Sequence, residues 1–181
     1  MFKYTFTLLL ILIFNSLAYS QTVYKSEDGL INYQVPQGFK LSDVPKEYHN
    51  TINPDYKMAY RSSNTGVNPS ILINVATIES NSLKDASFIY RQRDLLRETY
   101  PNVSIESVTS FSSTNHPDIL NALFLVETDD DKFYNSIYYF LYTLNSNETI
   151  MWTMTCTYSY KEKNLYSRVF KETAKSFVFN N

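Results

Sequence analysis

Glycine is nearly missing from this chain, with three in 181 residues. Phosphate-cradling loops such as G-x-G-x-x-G need several glycines at fixed spacing, so none can be built here. No serine stands in a G-x-S-x-G setting, which removes the nucleophile-elbow signature. Cysteine occurs once, as Cys156. No internal disulfide can form, so a domain of this size must rely on its core. Histidine occurs twice, as His49 and His116, with no H-x-H or H-E-x-x-H pattern. A zinc or catalytic site needs several convergent ligands. Both histidines are therefore read as exposed loop residues, and no catalytic, cofactor-binding or metal-binding residue is assigned. Charge imbalance is missing too. A formal net charge of −2 leaves no basic footprint for nucleic acid or anionic lipid.

Long apolar runs are absent after the first twenty residues. Within them, Lys3 gives a short basic start, Phe6 to Phe14 is apolar, and Ala18-Tyr19-Ser20 precedes Gln21. That is the pattern of a secretory signal peptide over residues 1–20. The apolar run is too short to span a bilayer. An uncut anchor is the other reading, disfavoured by the short run and the polar exit. No cysteine stands at the cleavage point, so lipid anchoring is not indicated. The expectation is a single domain over 21–181, periplasmic or secreted, with no membrane span after cleavage.

Aromatic residues are plentiful, with 16 tyrosines and 12 phenylalanines. They concentrate in the stretch that organises the chain, Ile119 to Phe179. It reads as strands Ile119–Thr128, Phe133–Leu144 and Thr149–Tyr158, then a helix Glu162–Phe177. The second strand has no Gly or Pro and suits a sheet interior. Side-chain alternation puts Phe133, Ile137, Tyr139 and Leu141 on one face and Tyr134, Tyr138, Phe140 and Tyr142 on the other. In the third, Ile150, Trp152, Met154, Cys156 and Tyr158 share a face opposite Met151, Thr153, Thr155 and Thr157. Strict alternation predicts hard packing on one side, and Cys156 is read as a buried small hydrophobe. The polar connectors Asp129–Lys132 and Asn145–Glu148 predict antiparallel hairpins. The closing helix carries Leu165, Val169, Phe170, Thr173, Ala174 and Phe177 at helical spacing.

Upstream, Asp28-Gly29 predicts a tight turn between short strands, with Leu30–Val35 as the second. Leu41 to Asn53 reads as a loop with one helical turn, and Lys57–Ser62 as a short strand. Ser70–Ile78 reads as a strand. Ser82 and Asp85 look like a cap for a helix Leu83–Tyr100. Its expected buried stripe is Ala86, Ile89, Tyr90, Arg93, Leu95 and Leu96. Val103–Phe111 alternates as a strand whose parity breaks, which predicts a bulge near Ser107. This order is α+β, an antiparallel sheet with helices packed on its faces.

The segment Asp28 to Phe39, ending in Pro36-Gln37-Gly38-Phe39, resembles the opening of the PsbP/Mog1/DcrB-like superfamily. The ending, Phe170 through Lys175-Ser176-Phe177, resembles its final helix and closing Ser-Phe. The resemblance spans most of residues 23–179 through short motifs. It implies an α/β/α sandwich around a curved antiparallel sheet. Members serve as a photosystem accessory subunit, a small-GTPase-binding factor, and envelope lipoproteins or chaperones for hydrophobic segments. No partner-contacting residue matches across.

Asp129-Asp130-Asp131 could offer oxygen ligands, but not with calcium-loop spacing, so a solvated turn is expected. The row Tyr134, Tyr138 and Tyr142 is the one candidate ligand or partner face, because tyrosine couples contact area to a polar tip. Its alternative is a sheet face covered by a helix. Three functional readings stand: a non-enzymatic exported accessory protein that binds a protein partner through a sheet face or cleft; a carrier or chaperone for a hydrophobic small molecule or lipid segment; and a hydrolase with a dispersed site.

Overall fold

The computed structural model describes residues 22–46, 55–79, 87–116, 118–143 and 148–180. The segment expected to be a signal peptide, His49, the expected cap at Ser82 and most of the Asn145–Glu148 connector lie outside them. Strands β1 (Val23–Lys25) and β2 (Ile31–Gln34) form the predicted hairpin. The turn places Gly29 at φ +72, where a side chain would be strained. Next come β3 (Lys40–Ser42), β4 (Met58–Tyr60) and β5 (Ser70–Glu79). Helix α1 is described over Ser87–Thr99. Then follow β6 (Asn102–Phe111), β7 (Ile119–Glu127), β8 (Lys132–Thr143) and β9 (Glu148–Ser159). A short 3-10 turn leads into α2 (Lys163–Lys175), and β10 (Val178–Phe179) follows.

Seven strands make the main sheet in the order β3-β4-β5-β9-β8-β7-β6, and β1-β2-β10 make a small second sheet. All the pairings are antiparallel. Strands β6 to β9 are a meander, whereas β5 and β6 run the same way with three strands between them. The segment carrying α1 therefore crosses over one sheet face. The other face takes α2 and the small sheet. This is the α+β architecture expected, with a helix on each side of an antiparallel sheet.

The alternation in β8 sorts the core. Tyr134, Tyr138 and Phe140 join a cluster with Trp152, Met154, Cys156, Tyr158, Phe170 and Phe177 beneath α2. Phe133, Ile137 and Tyr139 join Phe88, Ile89 and Phe124 beneath α1. Burying one such side chain, Phe170 for example at 0% exposure, contributes roughly 1.5–3 kcal/mol.

The two motifs that carried the resemblance meet here. Gly38 turns the chain at φ +79 and delivers Phe39 edge-on to Phe170 at 5.9 Å. Ser176 Oγ accepts from Gln34 N at 2.9 Å, tying the end of α2 to β2. Phe177 stacks on Phe140 at 4.2 Å.

Several expectations need correction. Leu165 is exposed and Tyr166 takes the buried place on α2, because the stripe facing the sheet runs through Tyr166, Phe170, Thr173 and Ala174. On α1, Tyr90 and Leu95 are half exposed. Ile89 is buried as expected, and Phe88, outside the expected stripe, is buried beside it. Strand β3 overlaps the start of the expected Leu41–Asn53 loop, and β10 follows the expected helix end at Phe177, where no element is expected. They are edge pairings of three and two residues, too short to show alternation. The bulge is where parity put it, between Ile105 and Ser107.

Candidate interaction surface

Helix α1 is a narrow ridge over β6, β7 and β8. It is held down by Phe88, whose ring meets Tyr139 edge-on at 5.3 Å, and by Ile89. Just past its end, Tyr100 meets Phe133 edge-on at 5.4 Å. Two buried anchors leave the flanks of the ridge open. On the β6 side lies a groove of about 550 Å³ lined by Ile89, Tyr90, Arg93, Arg97, Ile105 and Val108. On the β5 side lies one of about 490 Å³, where Leu95 and Leu96 face Leu72, Ile137, Thr153 and Thr155.

The β6 groove carries the stronger chemistry. Tyr90 is 51% exposed and Val108 47%. The guanidinium of Arg93 lies 5.1 Å from the Tyr90 ring centroid and donates to Asp94 Oδ1 at 2.9 and 2.7 Å. The pair is thus held in place before anything binds, at a cost in side-chain entropy already met by the fold. Arg97 donates through Nε and Nη2 to Val103 O at 3.2 and 2.9 Å. That covers the start of β6, which is an edge of the main sheet. Beyond the bulge, Val108, Thr109 and Ser110 are exposed on this edge. Edge strands offer unpaired backbone groups to an incoming chain, and exposed Tyr and Arg are the residue types that dominate interface energetics.

The tyrosine row lies elsewhere. Tyr134 and Tyr138 are 1% and 2% exposed beneath α2. Tyr134 stacks with Tyr160 at 5.6 Å. Tyr138 meets Phe111 edge-on at 6.1 Å, and burial pushes its phenol well above the ordinary range. Tyr142 is half-buried, with its ring 4.8 Å from Phe179. The three therefore share a sheet face without forming an open one.

Cys156 is fully buried, which pushes its thiol up. His116 is no exposed loop histidine. Its ring lies 5.1 Å from Phe140 and 5.8 Å from Phe177, and burial lowers its basicity against an opposing backbone hydrogen bond at Phe177. The Asp129–Asp131 turn is closed by Thr128, whose Oγ1 accepts from Asp131 N at 2.9 Å. Among the described residues, no group of three or more His, Cys, Asp or Glu is placed to hold a metal ion.

Sequence reasoning missed Tyr90, Arg93 and Val108 as a surface group. A helix tied down by adjacent Phe88 and Ile89 has only a narrow buried stripe. That width was the available signal.

No protein-family profile and no curated protein matches the chain. Solved structures do. LpqN of Mycobacterium tuberculosis, described as involved in cell envelope biogenesis, is 7% identical with a TM-score of 0.61, over 90% of this chain and 91% of its own. Cyanobacterial PsbP from Synechocystis is 12% identical with a TM-score of 0.62, over 91% and 95%. The Ran-binding protein Mog1p of Saccharomyces cerevisiae is 12% identical with a TM-score of 0.54, over 90% and 96%. Identities this low speak for architecture alone, and the architecture of this chain is the PsbP/Mog1-like α+β fold.

Proposed function

We propose that this is a non-enzymatic accessory protein that binds a protein partner through the surface between α1 and β6. The observation that carries it is the ordered Tyr90–Arg93 pair beside exposed Val108 on a free strand edge. A Ran-binding protein built on the same fold supports the idea that this scaffold serves protein recognition. The reading includes export, with cleavage after Ser20 and one folded domain from residue 21. The pattern Lys3, Phe6–Phe14, Ala18-Tyr19-Ser20 supports that part.

The carrier alternative has less support. The cavity between the main sheet and α2 is about 150 Å³, below the roughly 300–1,000 Å³ typical of sites for drug-sized ligands, and of the larger grooves beside α1 the one on the β6 side belongs to the proposed partner surface. Among the described residues, no convergent nucleophile and base supports the hydrolase reading.

A photo-crosslinking residue placed in turn at positions 90, 108 and 165 of the expressed protein tests the surface. Position 165 is exposed on α2 and serves as the control. One discrete adduct from 90 and 108, absent from 165, is expected. Equal labelling at all three, or none at 90 and 108, would overturn the proposal. N-terminal sequencing of the exported fraction checks the cleavage.

A further inference from the structure

The space between α2 and the main sheet is small but chemically unlike its surroundings. Most of that layer is aromatic. At the flank of α2 over β6 and β7, however, Thr109, Asn121, Ser136, Tyr138, Tyr158 and Ser167 converge on the cavity of about 150 Å³. Ser136 is buried to 3% exposure. Its Oγ accepts from Asn121 Nδ2 at 2.8 Å, and the same amide donates to Ile137 O at 3.3 Å. Asn121 Oδ1 is then left as an acceptor. The Tyr138 phenol lines the same cavity, and the Tyr158 and Ser167 hydroxyls lie 3.2 Å apart.

Phe111 and Leu123 form the apolar wall. At the mouth stands Lys171, with Nζ 4.9 Å from the Phe111 ring centroid. It belongs to none of the ion pairs among the described residues. At about 30 Å³ of liquid volume per water, the cavity has room for five or six heavy atoms. A buried polar floor, a short apolar wall and an unpaired ammonium at the entrance specify a small, singly negative, hydroxyl-bearing guest.

We propose that this cavity is a binding site for a small hydroxycarboxylate. The carboxylate would sit on Lys171 and the hydroxyl among Ser136, Tyr138 and Asn121. The site lies on the α2 side of β6, the face opposite Tyr90, Arg93 and Val108, and does not depend on the partner surface.

L-lactate is the probe. It is titrated into isotopically labelled protein, with sodium chloride at matched ionic strength as the control. Saturable shifts confined to Thr109, Asn121, Ser136, Tyr138 and Ser167 are expected, with a Kd on the order of millimolar for so few atoms. Lys171→Met should raise that Kd about tenfold or more, the effect of losing a charge-assisted hydrogen bond. Thr109→Phe should close the mouth from the exposed side and abolish the shifts, whereas Tyr90→Ala should leave them unchanged. Shifts that never saturate, that sodium chloride reproduces, or that survive both Lys171→Met and Thr109→Phe would overturn the proposal. So would their absence.

Discussion

Lys163 Nζ lies 2.8 Å from Glu106 Oε1 and 4.7 Å from the ring centroid of Tyr134. Glu106 is the extra residue of the β6 bulge, between Ile105, which pairs with Phe124, and Ser107, which pairs with Leu123. The bulge thus joins the edge strand to the first turn of α2. It also switches the faces of β6. Val103 and Ile105 pack under α1, while Phe111, which ordinary parity would put on that same face, packs toward α2.

Removing the charge and disturbing the register should therefore differ. The pair is 37% exposed on each side, so screening limits it. Glu106→Gln should cost less than about 1 kcal/mol. Inserting a second extra residue, an alanine after Glu106, should undo the switch and turn every later side chain of β6 to the opposite face, expelling Phe111 from Tyr138. Thermal unfolding of the two variants checks this. Similar melting temperatures would refute the assigned role of the bulge.

His116 should make stability depend on pH. Its folded-state basicity is depressed, chiefly by burial, so below the ordinary value of about 6.5 the unfolded chain binds more protons. Stability is then fully present above that value. It falls as pH drops through the window below, by at most about 1.4 kcal/mol per pH unit, and levels off once the folded histidine is also protonated. Urea unfolding at neutral and mildly acidic pH, compared with His116→Leu, isolates the effect. An unchanged slope in the variant would remove His116 as its source.

Tyr33 and Tyr139 carry buried hydroxyls with no hydrogen-bond partner among the described residues. An unsatisfied buried polar atom costs roughly 1–3 kcal/mol. Tyr33→Phe and Tyr139→Phe should each be neutral or stabilising, by up to about 1 kcal/mol. A clear loss of stability in chemical denaturation would mean that those hydroxyls do bond in the folded protein.

Tyr138 and Tyr90 should behave as opposites. Tyr138→Ala empties a site 2% exposed and should cost roughly 3–5 kcal/mol, as for other large aromatic truncations. Tyr90→Ala, at 51% exposure, should stay within about 0.5 kcal/mol yet weaken partner binding. Stability and crosslinking yield, measured together, separate the two roles.

The order of the longer strands and of both helices, the α+β class, the two faces of β8 and β9, and the bulge in β6 were written into the sequence, whereas the short edge strands β3 and β10 were not. Each follows from periodicity and turn chemistry, which act over a few residues: the alternation from Phe133 to Leu141, the Asp28-Gly29 turn, the broken parity before Phe111. The burial of Cys156 was legible for the same reason. Tertiary structure decided what local pattern cannot. Whether Tyr134 and Tyr138 would be a surface or a core depended on α2 arriving from some thirty residues later in the chain. Whether Tyr90 or Phe88 would be buried depended on how narrow a strip of sheet α1 covers. His116, in a polar turn by sequence, became half-buried because the closing Phe177 packs against it. Burial is a property of elements brought together, and periodicity names only the face that needs a partner.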